Sequence, residues 1–361
     1  MLNWKFIFYP VSAFIFPFFD NLANDSTVKT KLCSVLKNNH LHTFFFDHSL
    51  QKIKMHIVFC NIFNKPRLIL QRNSIMRKLV KSIALSVLTL SSFITTAQTD
   101  KSLLWEISGK GLEKPSYVFG TIHMICQDDY LMTKTIQNTL KNVDSYYAEI
   151  NFGDQQNIAI MQKSMMSEIP LSERLEPTKY NELKSLLKEV VDLDITQFEY
   201  FTDTAIVSMI TFKSFPCTDF KMYEMELLQA AILQHKKLGG LETVEQQMEI
   251  LSKSLGQDAV IEMLHDLKKE GFENTKKMVE LYKSENVQGL YDYMKTSSYM
   301  TDEVYNEMLT KRNHNWVNEM PEIMQNQSVF FAVGAAHLGG NNGILKLLKD
   351  NGYTVKPVKI Q

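Results

Sequence analysis

The chain has 361 residues and a net charge of only −1, but the charge is laid out unevenly. Of its 39 Lys/Arg and 40 Asp/Glu, residues 1–97 hold twelve basic side chains and three acidic ones (Asp20, Asp25 and Asp47), which leaves 27 and 37, a net of −10, for residues 98–361. So acidic a balance speaks against a nucleic-acid surface, and the lack of any glutamate before Glu106 marks two kinds of sequence joined end to end.

The junction has the grammar of a secretory signal peptide spanning 76–97. Met76-Arg77-Lys78-Leu79-Val80-Lys81 is a basic start, 83–94 is a short apolar core, and Thr95-Thr96-Ala97 supplies small residues for cleavage after Ala97. The apolar run is short for a membrane span, so contact with a membrane is expected only if this segment stays uncleaved as an anchor. Residues 1–75 carry aromatic clusters such as Phe44-Phe45-Phe46 without clean periodicity. They read as a start placed too far upstream, with Met76 the true start; a membrane-associated extension around 4–19 is the alternative. The expected destination is the periplasm or cell envelope of a Gram-negative bacterium.

Residues 98–361 are enough for one large domain or two small ones, and the fold is expected to be a single α/β domain. Segments 105–108 and 116–119 flank a Gly- and Pro-containing loop and predict a hairpin. Gly120-Thr121-Ile122-His123 follows the second of them. An amphipathic helix is expected over 132–141, with Ile136 and Leu140 one turn apart, then a strand over 144–150 that ends at Glu149. The stretch 155–215 is helical, broken at Pro170 and Pro177, and its Met161, Met165 and Met166 suit a core or a loosely packed lid. A helix over 224–236 precedes a short strand, 237–242, that again ends in a carboxylate, Glu242. Thr243-Val244-Glu245-Gln246 has capping-box spacing and opens a long helical region, 244–325, with breaks near Gly256, Gly271 and 284–286 and a last helix from Asp302 to about Met324. Strand 329–333 leads into a second Gly-x-x-His, Gly334-Ala335-Ala336-His337. In the following Gly339–Gly343 turn the Asn residues are placed to cap a helix over 344–350, Gly352 suits its C-terminal stop, and a strand over 353–358 closes the chain.

Each half therefore pairs one imidazole with one carboxylate at strand ends, His123 with Glu149 and Glu242 with His337, which hints at an internal duplication. A Gly at a strand's end lets the backbone turn or approach a ligand closely, and open α/β sheets bind ligands at that edge. Two imidazoles and two carboxylates suit a divalent transition metal such as Mn, Co, Zn or Fe, which lowers the pKa of bound water and polarises a carbonyl. The alternative is that both histidines merely form hydrogen bonds at strand ends. His-Glu-x-x-His, Gly-x-Ser-x-Gly, the P-loop and the dinucleotide fingerprint are absent.

VFGTIHM, YYAEI, GGLETVEQQ, LTKRNHNW and FAVGAAHLGGNNGILKLLKDNGYTV together resemble the TraB/GumN family, which includes the Tiki proteins, in the family's order over nearly all of 103–358. The resemblance implies an erythromycin-esterase/ChaN-like α/β fold, a central mixed sheet flanked by many helices with two pseudo-repeat halves. It also implies a metal-dependent, peptidase-like hydrolase acting on peptide or small amide or ester substrates. Carried over, the functional positions are Gly120, His123, Glu149, Glu242, Arg312, Gly334 and His337. His123, His337 and one of Glu149 or Glu242 are expected to hold the metal, the other glutamate to activate water, and Arg312 to steady a developing oxyanion or pin its helix to the sheet. A non-catalytic protein that sequesters a peptide or haem in the same cleft is the alternative. Where the family often has a Gly-hydrophobic-Asp element this chain has Met222-Tyr223-Glu224, which puts a role for Glu224 in doubt. Trp316 reads as packing, and His235, His265 and His314 as solvated. Cys126 and Cys217, the only cysteines of 98–361, are candidates for one disulfide, and Cys126, three residues after His123, is close enough to be a soft ligand, with a buried thiol or disulfide partner the stronger reading.

Overall fold

The computed structural model describes residues 101–361; the expected signal segment 76–97 and the upstream residues 1–75 lie outside the described residues. The chain is α/β, as its alternating pattern implied. β1 (Leu104–Ser108) and β2 (Ser116–Thr121) form the expected antiparallel hairpin, whose connecting turn places Gly109, Lys110 and Gly111 at positive φ. β3 (Ile125–Cys126) pairs with β5 (Phe220–Lys221) in a separate two-stranded ribbon, which the sequence reading did not anticipate because two-residue strands carry no periodic signal. β4 (Ser145–Ala148), β6 (Lys237–Gly240), β7 (Val329–Gly334) and β8 (Thr354–Val358) complete a six-stranded mixed sheet of order β6-β4-β7-β2-β1-β8.

The register explains the composition of each strand. β7 runs between β4 and β2, parallel to both, and its VFFAV core is buried throughout; a parallel strand covered on both faces is uniformly apolar. β6 lies at the edge, pairs only with β4, and makes do with Lys-Leu-Gly-Gly. β6, β4, β7 and β2 all point the same way, so their carboxyl ends share one edge of the sheet. In that spatial order, strands of the two sequence halves alternate, and the residues just beyond their ends are Glu242, Glu149, His337 and His123.

Helices pack around the sheet, and most follow the expected boundaries. Lys134–Asn142 buries Ile136 and Leu140, and Pro177 opens Pro177–Val191 from its first turn, where a missing N–H costs nothing. Thr243 and Gln246 form the reciprocal capping box of Val244–Ser254. Three expectations are corrected. The last long helix is not uniform: Asp302–Tyr305 is α, Asn306–Lys311 is π, and Arg312–Met324 is α again. The helical stretch 155–215 is also interrupted between Val191 and Asp203, where only the short 3-10 turn Ile195–Phe198 intervenes, beyond the breaks expected at Pro170 and Pro177. Finally, Ile344–Asp350 has Gly343 at its N-cap and no side-chain cap; the carbonyl of Asn342 instead receives a bond from Asn313 Nδ2, 2.8 Å away.

One apolar core surrounds the sheet, with Phe119, Phe330, Phe331, Tyr223 and Trp316 among its largest members. A second, wholly helical core gathers Leu171, Leu187, Ile206, Ile210 and Leu264 from the connection between β4 and β6 and from the helix Gln257–Glu270. Among the described residues no helix is long and apolar enough to cross a membrane.

Candidate active site at the carboxyl edge of the sheet

Arg312 is the hub of this edge. After the π segment the Arg312 backbone N–H bonds the carbonyl of Leu309, and Arg312 Nη1 donates to the Met308 carbonyl, four residues back, at 3.0 Å. π-turns of this kind recur at functional sites because they shift a side chain's aim without ending the helix. The guanidinium, only 7% exposed, forks onto Glu242, with Nε 3.1 Å from Oε2 and Nη2 2.6 Å from Oε1, and the same Nη2 lies 2.6 Å from Glu149 Oε2. Its plane rests on the Trp316 ring, 4.7 Å from the centroid.

The two carboxylates share further donors. Gln247 Nε2 reaches Glu149 Oε2 at 3.2 Å and Glu242 Oε1 at 2.9 Å, and the Gly334 N–H donates to Glu149 Oε1 at 2.8 Å. Burial alone would raise both carboxyls. For Glu149 the charge of Arg312, with the nearby imidazoles and the Gly334 bond, outweighs burial and brings it down to about 2. For Glu242 burial prevails, reinforced by repulsion from Glu149, and its pKa is raised despite Arg312. One carboxylate is thereby fixed as an anion and the other is pushed toward accepting a proton.

His337 is equally buried. Its Nδ1–H donates to Asn313 Oδ1 at 2.6 Å, and the bond from Asn313 Nδ2 to the Asn342 carbonyl fixes which way that amide faces. Nε2 therefore carries a lone pair and accepts from Arg312 Nη1 at 3.2 Å. Burial and the neighbouring guanidinium push the imidazole down to about 3, so it stays neutral. Its ring lies against Trp316 with centroids 4.5 Å apart, which gives Trp316 a place under the site beyond packing. The short turn carrying His337 sits against β2: a Cβ on Gly120 would lie 2.9 Å from Leu338 and 3.0 Å from Ala335, so the first motif's glycine makes room for the second motif.

His123 is set differently. Its side chain is 76% exposed, and its Nδ1 lies 2.9 Å from Glu224 Oε1, which also accepts from Thr121 Oγ1 at 3.1 Å. Attraction by Glu224 pushes this imidazole up, against an opposing cost of desolvation. The charge of His123 is felt at Glu149 and His337. The cysteines of the adjoining ribbon are joined: Cys126 and Cys217 form a disulfide, which removes Cys126 from any ligand role. His265 bonds Glu182 at 3.1 Å away from this edge, and His235, His265 and His314 are exposed, as expected.

The donor set suits a divalent transition metal in kind and in protonation. His337 presents an unprotonated Nε2 with its other nitrogen tied down, the usual state of an imidazole ligand, and Glu149 is an anion with Oε1 3.8 Å from that Nε2. The arrangement is not closed, however: among the described residues no group of three or more His, Cys, Asp or Glu is gathered closely enough to hold an ion. Arg312 Nη1 lies 3.2 Å from the His337 Nε2 and Nη2 2.6 Å from Glu149 Oε2, so the guanidinium engages lone pairs that an ion would use.

Sequence reasoning missed Asn313 and Gln247 and doubted Glu224. Asn313 adjoins Arg312, and Gln247 lies one turn into the helix that follows Glu242; only the packing of those helices on the sheet edge shows where they aim. This α/β protein presents His, Glu and Arg side chains beyond four parallel strand ends, at the edge where open α/β sheets bind ligands. The TraB/PrgY/gumN family model matches residues 103–357, and the chain belongs to that family. No curated protein and no solved structure matches it.

Proposed function

We propose that this chain is an exported, metal-dependent hydrolase of peptidase-like character, acting on peptide or small amide or ester bonds at the edge formed by β6, β4, β7 and β2. The observation that carries this reading is geometric: two buried carboxylates, Glu149 and Glu242, each lie 2.6 Å from the same Arg312 Nη2 and share Gln247 Nε2, and their surroundings push the first down in pKa and the second up. Paired groups driven apart in this way divide binding and proton transfer between them. His337, Glu149 and His123 would hold the ion, which supplies Lewis-acid polarisation of a carbonyl and a more acidic water. Glu242 takes the proton from the attacking water, and its raised pKa brings it nearer the operating pH. Arg312 contributes a fixed positive charge beside the developing oxyanion. The Cys126–Cys217 disulfide supports export, because such bonds persist in oxidising compartments.

Purified full chain assayed for bound metal, and for peptide hydrolysis before and after chelation and re-addition of Mn, Co or Zn, tests the reading. The expected result is metal lost in Glu149→Gln and His337→Ala but kept in Glu242→Gln, with turnover lost in all three. Metal-free protein that hydrolyses nothing under any of these ions would sink it. Retention of peptide or haem without turnover would favour the sequestering alternative.

A further inference from the structure

We infer that Glu224 is the positioning residue for His123, doing for the first Gly-x-x-His what Asn313 does for the second. The inference rests on the proposed ligand role of His123. Each imidazole has its Nδ1 held by a side-chain oxygen from a neighbouring helix: Glu224 of Tyr223–Leu233 at 2.9 Å, and Asn313 of Arg312–Met324 at 2.6 Å. Each of those oxygens is itself fixed. Thr121 Oγ1 donates to Glu224 Oε1, and the Asn342 carbonyl orients the Asn313 amide. A histidine whose Nδ1–H is engaged offers Nε2 to whatever binds at the site, and a carboxylate partner makes that nitrogen more basic.

The surrounding fold is built to bring these two residues together. The loop that leaves His123 enters β3, and the segment that arrives at Glu224 leaves β5. The two strands pair at Ile125↔Lys221 and Cys126↔Phe220. The Gln127 N–H donates to the Asp219 carbonyl at 2.9 Å, and the Cys126–Cys217 disulfide ties the same segments covalently. An exposed histidine with only a chance ion pair has no need of such a clamp.

The test compares full-length wild type with Glu224→Gln and Glu224→Ala, reading Co(II) affinity from its visible absorption and the ring-nitrogen NMR resonances of His123 and His337. Ala should weaken Co(II) binding about 10- to 100-fold, and Gln, which keeps an acceptor oxygen without its charge, should fall between Ala and wild type. In the metal-free state both should move the His123 nitrogen resonances and leave those of His337 in place. Unchanged His123 resonances in folded Glu224→Ala overturn the inference, as does Co(II) affinity equal to wild type. If wild type binds no Co(II), the metal reading fails by itself, while the resonances still decide whether Glu224 positions His123. Should Ala not fold, Gln gives the same resonance readout in a near-isosteric side chain.

Discussion

His337 and His123 leave equivalent ends of neighbouring parallel strands on the same four-residue motif, yet they occupy opposite environments. His337 is 6% exposed, packed on Trp316, bonded to an amide and faced by a guanidinium; His123 is 76% exposed and bonded to a carboxylate. The first is kept neutral and immobile, and the second is favoured as a cation on an open rim. The motif fixes where an imidazole leaves the sheet, and the helices that land beside it decide its charge.

The harshest way to break the comparison is at Arg312. Arg312→Ala leaves Glu149 and Glu242 buried without their cation, and removing one partner of a buried pair costs about 3–5 kcal/mol. Denaturant unfolding should show the loss, with Glu242→Gln in the same background recovering part of it. Cutting the clamp at the other end is next. A Cys126→Ser/Cys217→Ser chain loses a cross-link closing a 91-residue separation, worth about 2–5 kcal/mol. NMR should show the His123 resonances disturbed and those of His337 retained.

The pH dependence of stability should separate the two histidines by sign. The His337 pKa, lowered from 6.5 to about 3, means the unfolded chain takes up a proton that the folded chain refuses, so stability falls as pH drops from 6.5 toward 3. Glu149, down to about 2, adds a further loss below its ordinary value of 4.5. His123, raised from 6.5 to about 9, stabilises fully below 6.5 and loses its contribution as pH rises through 9, by an amount that solvent screening keeps small. Unfolding midpoints measured from pH 4 to 9.5 should lose the acid limb in His337→Asn and only the shallow alkaline limb in His123→Ala. At pH 7, His123→Ala should cost under about 1 kcal/mol, as exposed ion pairs do, while abolishing hydrolysis; a loss above 3 kcal/mol would show that the open rim is structural.

Much of this was legible beforehand because it depends on local pattern. Uniformly apolar runs mark the strands, capping spacing at Thr243 marks a helix start, and a glycine before each histidine marks a strand end. The order of residues alone could not show that β4 inserts between β6 and β7, because pairing is long-range and the two halves interleave. It could not show the π-turn, since Asn306–Lys311 reads as ordinary helix and its altered hydrogen bonding is visible only in the backbone. Nor could it place Glu224: the residue looked like a departure from pattern until the ribbon of β3 and β5 carried it to Nδ1 of His123.

By itself, then, the sequence determined the α/β class, the strand ends and the four side chains delivered there, because β-branching, period and glycine placement act over a few residues. Only the tertiary structure decided that Arg312 would bind both carboxylates, that Glu149 and Glu242 would differ in acidity, and that one histidine would be buried and the other open. Burial and charge at a site depend on which distant segments pack against it, and local spacing does not encode that.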